Sequence, residues 1–185
     1  MKNAVLDVIR SRRSVRRYRP DPVPPEALEA VLEAALWAPS ACDGQPWHFT
    51  ALVSPERIAQ IDREACAFLA RAPLDWAAAM GRAANFRIFY GAPAVVVVSG
   101  LKDAEFHTAV DCAIAAQNMV LAAESLGLSS CWIGLTHWYF QSEGARRDLE
   151  IPEGYDPYFA IALGYREGPA PKAPERRGHP VTILR

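Results

Sequence analysis

Arginine fills six of the ten positions from residue 10 to residue 19. Arg12, Ser14 and Arg16 alternate within this run, and alternate side chains of an extended chain point to the same side. Two guanidinium groups and one hydroxyl on one side suit a phosphate dianion, because guanidinium donates hydrogen bonds in planar pairs. The intervening arginines point the other way and suit solvent or ion pairs. The residues alone leave open whether the run is a phosphate site or a solvated basic surface.

The charge of the whole chain confines this arginine run to a local role. There are 20 Lys and Arg residues against 21 Asp and Glu, for a formal net charge of −1. A general nucleic-acid-binding protein carries a broad basic excess, so we expect no nucleic-acid partner. With 185 residues, and 51% of the chain apolar, residues 1–185 are expected to form a single domain with a substantial core.

The cysteines and histidines do not predict a metal site, since neither the 4 Cys nor the 4 His fall in the close spacings of metal ligands. The amino-terminal residues are polar and reach arginine before any long apolar run. We therefore expect no secretory signal and a cytoplasmic protein with reduced thiols. The most apolar stretch, from Ala109 to Leu126, contains Asp111 and Glu124, which a bilayer would penalise. This stretch predicts a helix buried in protein, and we expect no membrane partner.

Hydrophobic periodicity predicts alternating helices and strands. The four valines from Val95 to Val98 lack polar alternation and indicate a strand covered on both faces. Gly127 is expected to end the long helix, and Ser142 is expected to cap a later one. The mixture predicts an α+β fold with a central sheet and helices on both faces. Helices are predicted over 3–10, from Pro25 to a stop at Pro39, from Pro55 onward, in part of 73–91, over 106–126 and over 142–149, and strands over 47–53, 92–100, 130–134 and 157–165.

The carboxyl-terminal residues 168–185 begin as a proline-rich, charged tail and end in the β-type run VTILR. About a dozen extended residues reach roughly 35 Å or more, so this run can leave its own domain. Adding it as a strand to another chain's sheet would give an intertwined homodimer. A tail that lies on its own domain is the alternative that the residues leave open.

The usual catalytic motifs are missing from the sequence. It contains no G-x-G-x-x-G, no P-loop, no H-E-x-x-H and no G-x-S-x-G. No Ser/His/Asp or Cys/His set stands out either. An enzyme without an evident acid–base set can rely on a cofactor for the difficult chemistry.

Four stretches together point to a known family. RSRRSVRRYRP starts at residue 10, APSACDGQPWHF at residue 38, DCAIAAQNMVLAAESLGLSSCWIG at residue 111 and YFAIALGY at residue 158. The first two resemble the opening motifs of the nitroreductase family of FMN-dependent oxidoreductases. The third resembles that family's long central helix and following strand, and the fourth resembles its closing strand. The resemblance covers nearly the whole chain.

The resemblance implies a three-layer α/β/α fold around a central, mostly antiparallel sheet, with the C-terminal strand exchanged in an intertwined homodimer. It implies FMN as the cofactor, held at two identical sites, and NADH or NADPH as the reductant. The implied reaction passes a hydride through flavin N5 to a nitroaromatic, quinone or similar small-molecule acceptor by a ping-pong mechanism. A flavoenzyme of the same fold with another reaction (dehalogenation, biosynthetic oxidation or flavin fragmentation) and a non-catalytic flavin-binding protein are the alternatives.

The resemblance also assigns contacts with the flavin, and it assigns no catalytic side chain, because flavin N5 carries the chemistry. The assigned residues belong to the arginine run, to the loop near the isoalloxazine ring that comes partly from the second subunit, to the stretch facing N5, to the pyrimidine edge of the ring and to the tail. In that order they are Arg12, Arg13, Ser14 and Arg16; Pro39, Ser40, Asp43 and Gln45; Ile133 and Gly134; Arg87; and either Arg176 or Arg177.

Two features of the chain bear on its reactivity. Asp43 stands where many family members have asparagine, and an ionised Asp only accepts hydrogen bonds. Near the flavin, Asp43 would disfavour the reduced anion. Trp138, Tyr139 and Phe140 either roof the flavin and select flat acceptors or belong to the core.

Overall fold

The computed structural model describes residues 3–104, 106–176, 178 and 181–184. The helices are α1 (Ala4–Ser11), α2 (Pro25–Leu36), α3 (Pro55–Leu69), α4 (Asp75–Arg82), α5 (Thr108–Ser125), α6 (His137–Phe140) and α7 (Glu143–Asp148). The strands are β1 (Trp47–Leu52), β2 (Ala94–Leu101), β3 (Ser129–Ile133) and β4 (Tyr155–Gly164), and a short 3₁₀ turn covers Ala41–Asp43.

Side-chain caps explain several of these boundaries. Ser54 accepts a hydrogen bond from the Arg57 N–H at the start of α3, and Ser142 accepts one from the Ala145 N–H at the start of α7. Gly127 follows α5 with a φ of +76°, a conformation that glycine adopts without strain. The predicted caps at Ser142 and Gly127 are therefore confirmed.

The sheet is antiparallel throughout, with the strand order β1-β2-β4-β3. The central strand β2 pairs Val97 with Thr50 of β1 and with Ala160 of β4, and Ala160 in turn pairs with Ile133 of β3. β1 and β3 are therefore the two edges of this sheet, and the predicted antiparallel plan is confirmed.

The valine strand β2 has core on both sides. Val95 and Val97 join the core under α3, α4, α6 and α7, whereas Val96 and Val98 join the core under α2 and α5. All four valines are fully buried, as the absence of polar alternation predicts. The fold is thus the predicted three-layer α/β/α arrangement.

Helix α6 was not predicted, and it determines where the aromatic residues from 138 to 140 lie. It places Tyr139 and Phe140 in the core at 1% and 3% exposure, and the ring of Tyr139 packs against Phe68 of α3. The Tyr139 hydroxyl donates to Glu64 over 3.2 Å. Of the two interpretations of this cluster, the structure supports core residues for Tyr139 and Phe140, while Trp138 is half-buried.

Among the residues that the structure describes, no helix combines the length and the apolar character needed to cross a bilayer. Helix α5, the most apolar candidate in the sequence, instead buries Cys112, Met119 and Val120 against the sheet.

Candidate functional site

The arginine run lies along the outer edge of β3. The Val15 N–H donates to the Ser130 carbonyl over 2.9 Å, and Ser14 forms a bridge with Ser130. Val15 is buried at 5% exposure, so this backbone bond anchors the segment firmly to the sheet.

The charges of Arg12 and Arg16 converge on this edge. Burial raises the pKa of the Cys131 thiol, and the guanidinium groups of Arg16 and Arg12 oppose that rise. Both guanidinium groups therefore lie within electrostatic reach of Cys131 in β3. The convergence of the Arg12 and Arg16 side chains with the Ser14 hydroxyl on one phosphate stays a prediction.

The neighbouring arginines have other contacts. Nη1 of Arg13 donates to the carbonyl oxygens of Arg10, Ser11 and Arg12 over 2.6, 3.0 and 2.8 Å, which caps the end of α1. Its Nε is a buried donor for which the described part of the chain offers no acceptor. The phosphate contact of Arg13 stays a prediction. Arg17 forms the expected ion pair, with Glu167 at 3.1 Å.

The end of β3 is unusually bare. Ile133 is buried, and Gly134 follows it at the surface. A Cβ placed on Gly134 would meet no heavy atom within 4 Å, so open space adjoins its backbone. The Thr136 hydroxyl donates to the Ile133 carbonyl, and the His137 N–H donates to the Gly134 carbonyl, which fix this turn. The space beside Gly134 therefore leaves room for a ligand against the backbone.

The loop before β1 holds the second group of predicted residues, and its backbone is strained. Three of its residues have positive φ angles: Cys42 at +50°, Asp43 at +54° and Gln45 at +42°. Residues other than glycine rarely adopt this left-handed conformation. The Gln45 N–H donates to Ser40 Oγ over 2.9 Å, and Gln45 Nε2 donates to Asp43 Oδ1 over 2.9 Å. Asp43 and Gln45 are exposed, as is Pro39 at the start of the loop. Three left-handed residues in one exposed loop are typical of a functional site.

Asp111 anchors this loop, and the sequence analysis did not identify it as a site residue. Both of its carboxylate oxygens lie 3.3 Å from the Ala41 N–H, which donates to them. Asp111 belongs to the first turn of α5 and is only 7% exposed. A carboxylate in a nearly apolar helix was the signal that could have revealed it.

The two groups lie at opposite edges of the sheet. The arginine run and Gly134 adjoin β3, whereas the loop from 39 to 45 leads into β1. Three strand spacings separate these edges, and three spacings amount to about 14 Å. Within one chain the two groups therefore do not surround a common space.

Arg87 lies apart from both edges, on the side of the sheet covered by α3. Its guanidinium is near the buried carboxylate of Asp62, which accepts a hydrogen bond from the Phe89 N–H over 3.0 Å. Arg87 and Asp62 border a surface cavity of about 440 Å³ that has proline side chains in its wall. Arg176 is exposed in the tail, and Arg177 lies outside the described residues.

Comparison with known proteins identifies the family of this chain. The family model described as "Nitroreductase family" matches residues 9–165. The chain belongs to the Nitroreductase family. The arginine run, the strained loop and the bare end of β3 all fall inside the matched region.

The relatives of this nitroreductase-family chain agree with the predicted fold and cofactor. A nitroreductase with bound FMN from Bacteroides fragilis is 32% identical, with 100% of each chain covered and a TM-score of 0.92. A Methanothermobacter thermautotrophicus protein, provisionally named NADH dehydrogenase/NAD(P)H nitroreductase, is 35% identical over 89% of this chain and 78% of its own length. An iodotyrosine deiodinase structure is 22% identical over 98% of this chain and 97% of its own, with a TM-score of 0.75, which shows a shared fold alone.

Proposed function

We propose that this chain is an FMN-dependent oxidoreductase that uses NADH or NADPH to reduce a nitroaromatic, quinone or similar small-molecule acceptor. The observation that carries the proposal is the position of the arginine run, which lies on the outer edge of β3, the strand that ends at the open backbone of Gly134. FMN, when bound, would supply hydride transfer at its N5 atom. One open face would serve donor and acceptor in turn, so we expect a ping-pong order.

The arginine run would hold the phosphate end of FMN. Charge-assisted hydrogen bonds from Arg12 and Arg16, with the Ser14 hydroxyl between them, match the three outer oxygens of a phosphate. The buried Val15 keeps this segment on the sheet, so the donors are already in place before an anion arrives. Affinity would then depend little on ordering the segment.

The turn after β3 would orient the ring. The backbone N–H groups of Ile133 and Gly134 are the donors assigned to the N5 side, and the open space beside Gly134 leaves room for a planar group. The family resemblance assigns no catalytic side chain to this turn. The residues of the chain therefore bind and orient, and the cofactor supplies the redox chemistry.

A homodimer would complete the site. The strained loop lies about three strand spacings, or about 14 Å, from the β3 edge of its own chain. The loop of a second chain can approach that edge, so Pro39, Ser40, Asp43 and Gln45 would contact the flavin held by the partner. A chain acting alone has only one of the two groups of predicted contacts at each edge.

The exposed apolar residues of α1, α2 and α5 supply a surface for this dimer. Helix α1 buries none of its residues, and α5 presents a shallow groove lined by Ala109, Val110, Ala113 and Ile114. Trp37, at the end of α2, is 79% exposed. Contiguous apolar surface of this kind marks a protein interface.

The tail would add to the same assembly. Val181, Ile183 and Leu184 are at least 70% exposed, and β1 is an edge strand of the sheet. We propose that this run pairs with β1 of a second chain and that Arg176 or Arg177 reaches the partner's phosphate site. A cytoplasmic location remains a prediction from the sequence.

The test is the visible absorption of the purified protein. A yellow protein that bleaches when NADH or NADPH is added, and regains colour when a quinone or nitroaromatic follows, is the expected result. A protein that stays colourless when FMN is supplied contradicts the proposal. A yellow protein that neither nucleotide bleaches is a flavin-binding protein without this activity, and it also contradicts the proposal.

A further inference from the structure

Tyr90 has a backbone conformation that its side chain does not favour. Its φ is +56°, and Gly91 follows with a φ of +74°. Glycine or asparagine would adopt the conformation of residue 90 at lower cost, because a bulky side chain crowds its own carbonyl there. A tyrosine retained at such a position indicates that its ring makes a contact of importance.

The ring of Tyr90 contacts the arginine run. The central carbon of the Arg16 guanidinium lies 5.9 Å from the ring centroid, within the range of a cation–π interaction. Phe86 meets the same ring edge-on, at 6.1 Å and an interplanar angle of 87°. Phe86 therefore fixes the plane of the ring, and the ring supports the guanidinium of Arg16, which is otherwise exposed.

We infer that Tyr90 is a positioning residue that holds the Arg16 guanidinium ready for the flavin. The inference rests on the proposed function, because it assigns Tyr90 a role in the same site. Arg16 has a long, flexible side chain, and ordering it only on binding would weaken affinity. The Tyr90 ring removes part of that cost and leaves the donors of Arg16 free for an anion.

The test measures FMN affinity by flavin fluorescence quenching in the full-length protein. Tyr90→Phe keeps the ring and should bind FMN as the wild type does. Tyr90→Leu removes the ring face and should bind FMN about 5-fold more weakly, which corresponds to a cation–π contact at an exposed site. Tyr90→Met, which keeps much of the bulk, replaces the leucine variant if that variant fails to fold.

The chain offers a matched control. Arg19 lies over the ring of Tyr165 at 5.1 Å, outside the proposed site. Tyr165→Leu removes a similar contact and should leave FMN affinity within about twofold of the wild type, since it alters no proposed flavin contact. An equal loss in both leucine variants would mean that general packing is responsible, and it would overturn the inference.

A double variant separates the positioning role from local packing. In an Arg16→Ala background, Tyr90→Leu should cause no further loss of FMN affinity, because the residue through which it acts is gone. A further loss of the same size would overturn the inference and leave the proposed function intact. A wild-type protein that does not bind FMN would overturn the proposed function itself.

Discussion

The two edges of the sheet present their residues in different ways. At the β3 edge, an extended segment bonded to Ser130 displays Arg12, Ser14 and Arg16 from an unstrained backbone. At the β1 edge, the loop from 39 to 45 contains three left-handed residues and is held by Asp111 of a distant helix. Backbone pairing with a strand holds the first edge, whereas a buried carboxylate holds the second.

We expect the two edges to contact different parts of the flavin. The β3 edge has the cations that would hold a phosphate, and the β1 edge has a shaped loop whose exposed side chains are neutral or acidic. We expect affinity for FMN to depend mainly on the β3 edge. We expect the β1 edge to act on the ring, in the site of a second chain.

The largest effect is expected at the β3 edge. Arg12→Ala combined with Arg16→Ala should weaken FMN binding by about 100-fold or more, since each charge-assisted hydrogen bond contributes roughly 1.5–3 kcal/mol. Fluorescence titration with FMN measures the loss. Arg17→Ala is the matched control, because Arg17 is paired with Glu167 and should change affinity by less than about twofold. Equal losses in the two proteins would mean that general positive charge, and not the placement of these arginines, holds FMN.

Subunit mixing tests whether the two edges belong to different chains. One parent has Arg12→Ala with Arg16→Ala, and the other has Ser40→Ala with Gln45→Ala. If a site joins β3 of one chain to the loop of another, equal mixing should restore about a quarter of the sites, because half of the dimers are mixed and each has one intact site. NADH-dependent activity after unfolding and refolding the mixture measures the recovery.

The same mixing experiment has a clear negative outcome. If both edges of one chain formed one site, each mixed dimer would contain only damaged sites and no activity would return. Refolding each parent alone is the control for activity regained by refolding itself.

The anchor of the β1 edge should have an intermediate effect. Asp111→Ala leaves the Ala41 N–H without its acceptor and should lower the free energy of unfolding by about 1–3 kcal/mol, whereas Asp111→Asn keeps one acceptor oxygen and should cost less. Chemical denaturation measures both changes. Glu124→Gln, on the same helix, controls for the loss of charge, and a loss as large as that of Asp111→Ala would contradict the anchoring role.

Relief of strain in the loop should have a smaller effect, in the opposite direction. Cys42→Gly places glycine at a φ of +50° and should raise the free energy of unfolding by up to about 1 kcal/mol, because glycine adopts this conformation without a steric penalty. Thermal unfolding measures the shift. The neighbouring variant Ala41→Gly, at a position without positive φ, should destabilise the protein, so a gain in both would contradict the strain argument.

The smallest effect concerns Asp62, which lies beside Arg87 on the α3 side of the sheet. Burial raises the pKa of this carboxyl, so the folded state holds its proton more tightly than the unfolded chain. The protonated carboxyl therefore contributes its full stabilisation of the folded state below the ordinary carboxyl pKa of 3.8. This contribution is lost as the pH rises through the higher pKa that the group has in the folded protein. Asp62→Asn can still accept from the Phe89 N–H and should remove this pH dependence, as denaturation at several pH values would show.

Asp62→Asn also tests the boundary of the site. FMN affinity should stay within about twofold of the wild type, because none of the flavin contacts at the two edges changes. A larger change would place the neighbouring Arg87 at the flavin, as the family resemblance implies, and would extend the site beyond the two edges.

Sequence patterns predicted most of the fold because they reflect local conformational preferences and the alternation of apolar and polar residues. The sequence shows a run of valines without polar alternation, Pro55 at a helix start and Gly127 at a helix end. The structure has the corresponding strand, helix start and helix end. Helix α6 was missed because only 4 residues form it, too few for a periodic signal. The same short helix placed Tyr139 and Phe140 in the core, which sequence reasoning left open.

The sequence by itself determined the arginine run and its alternation, since the spacing of side chains along an extended segment is a local property. Only the tertiary structure decided which strand that segment borders, that Asp111 holds the loop, and that the two groups of predicted residues lie at opposite edges of the sheet. These facts depend on contacts between residues far apart in the chain. A single sequence does not record such contacts, because many residues satisfy the same burial and hydrogen bonding.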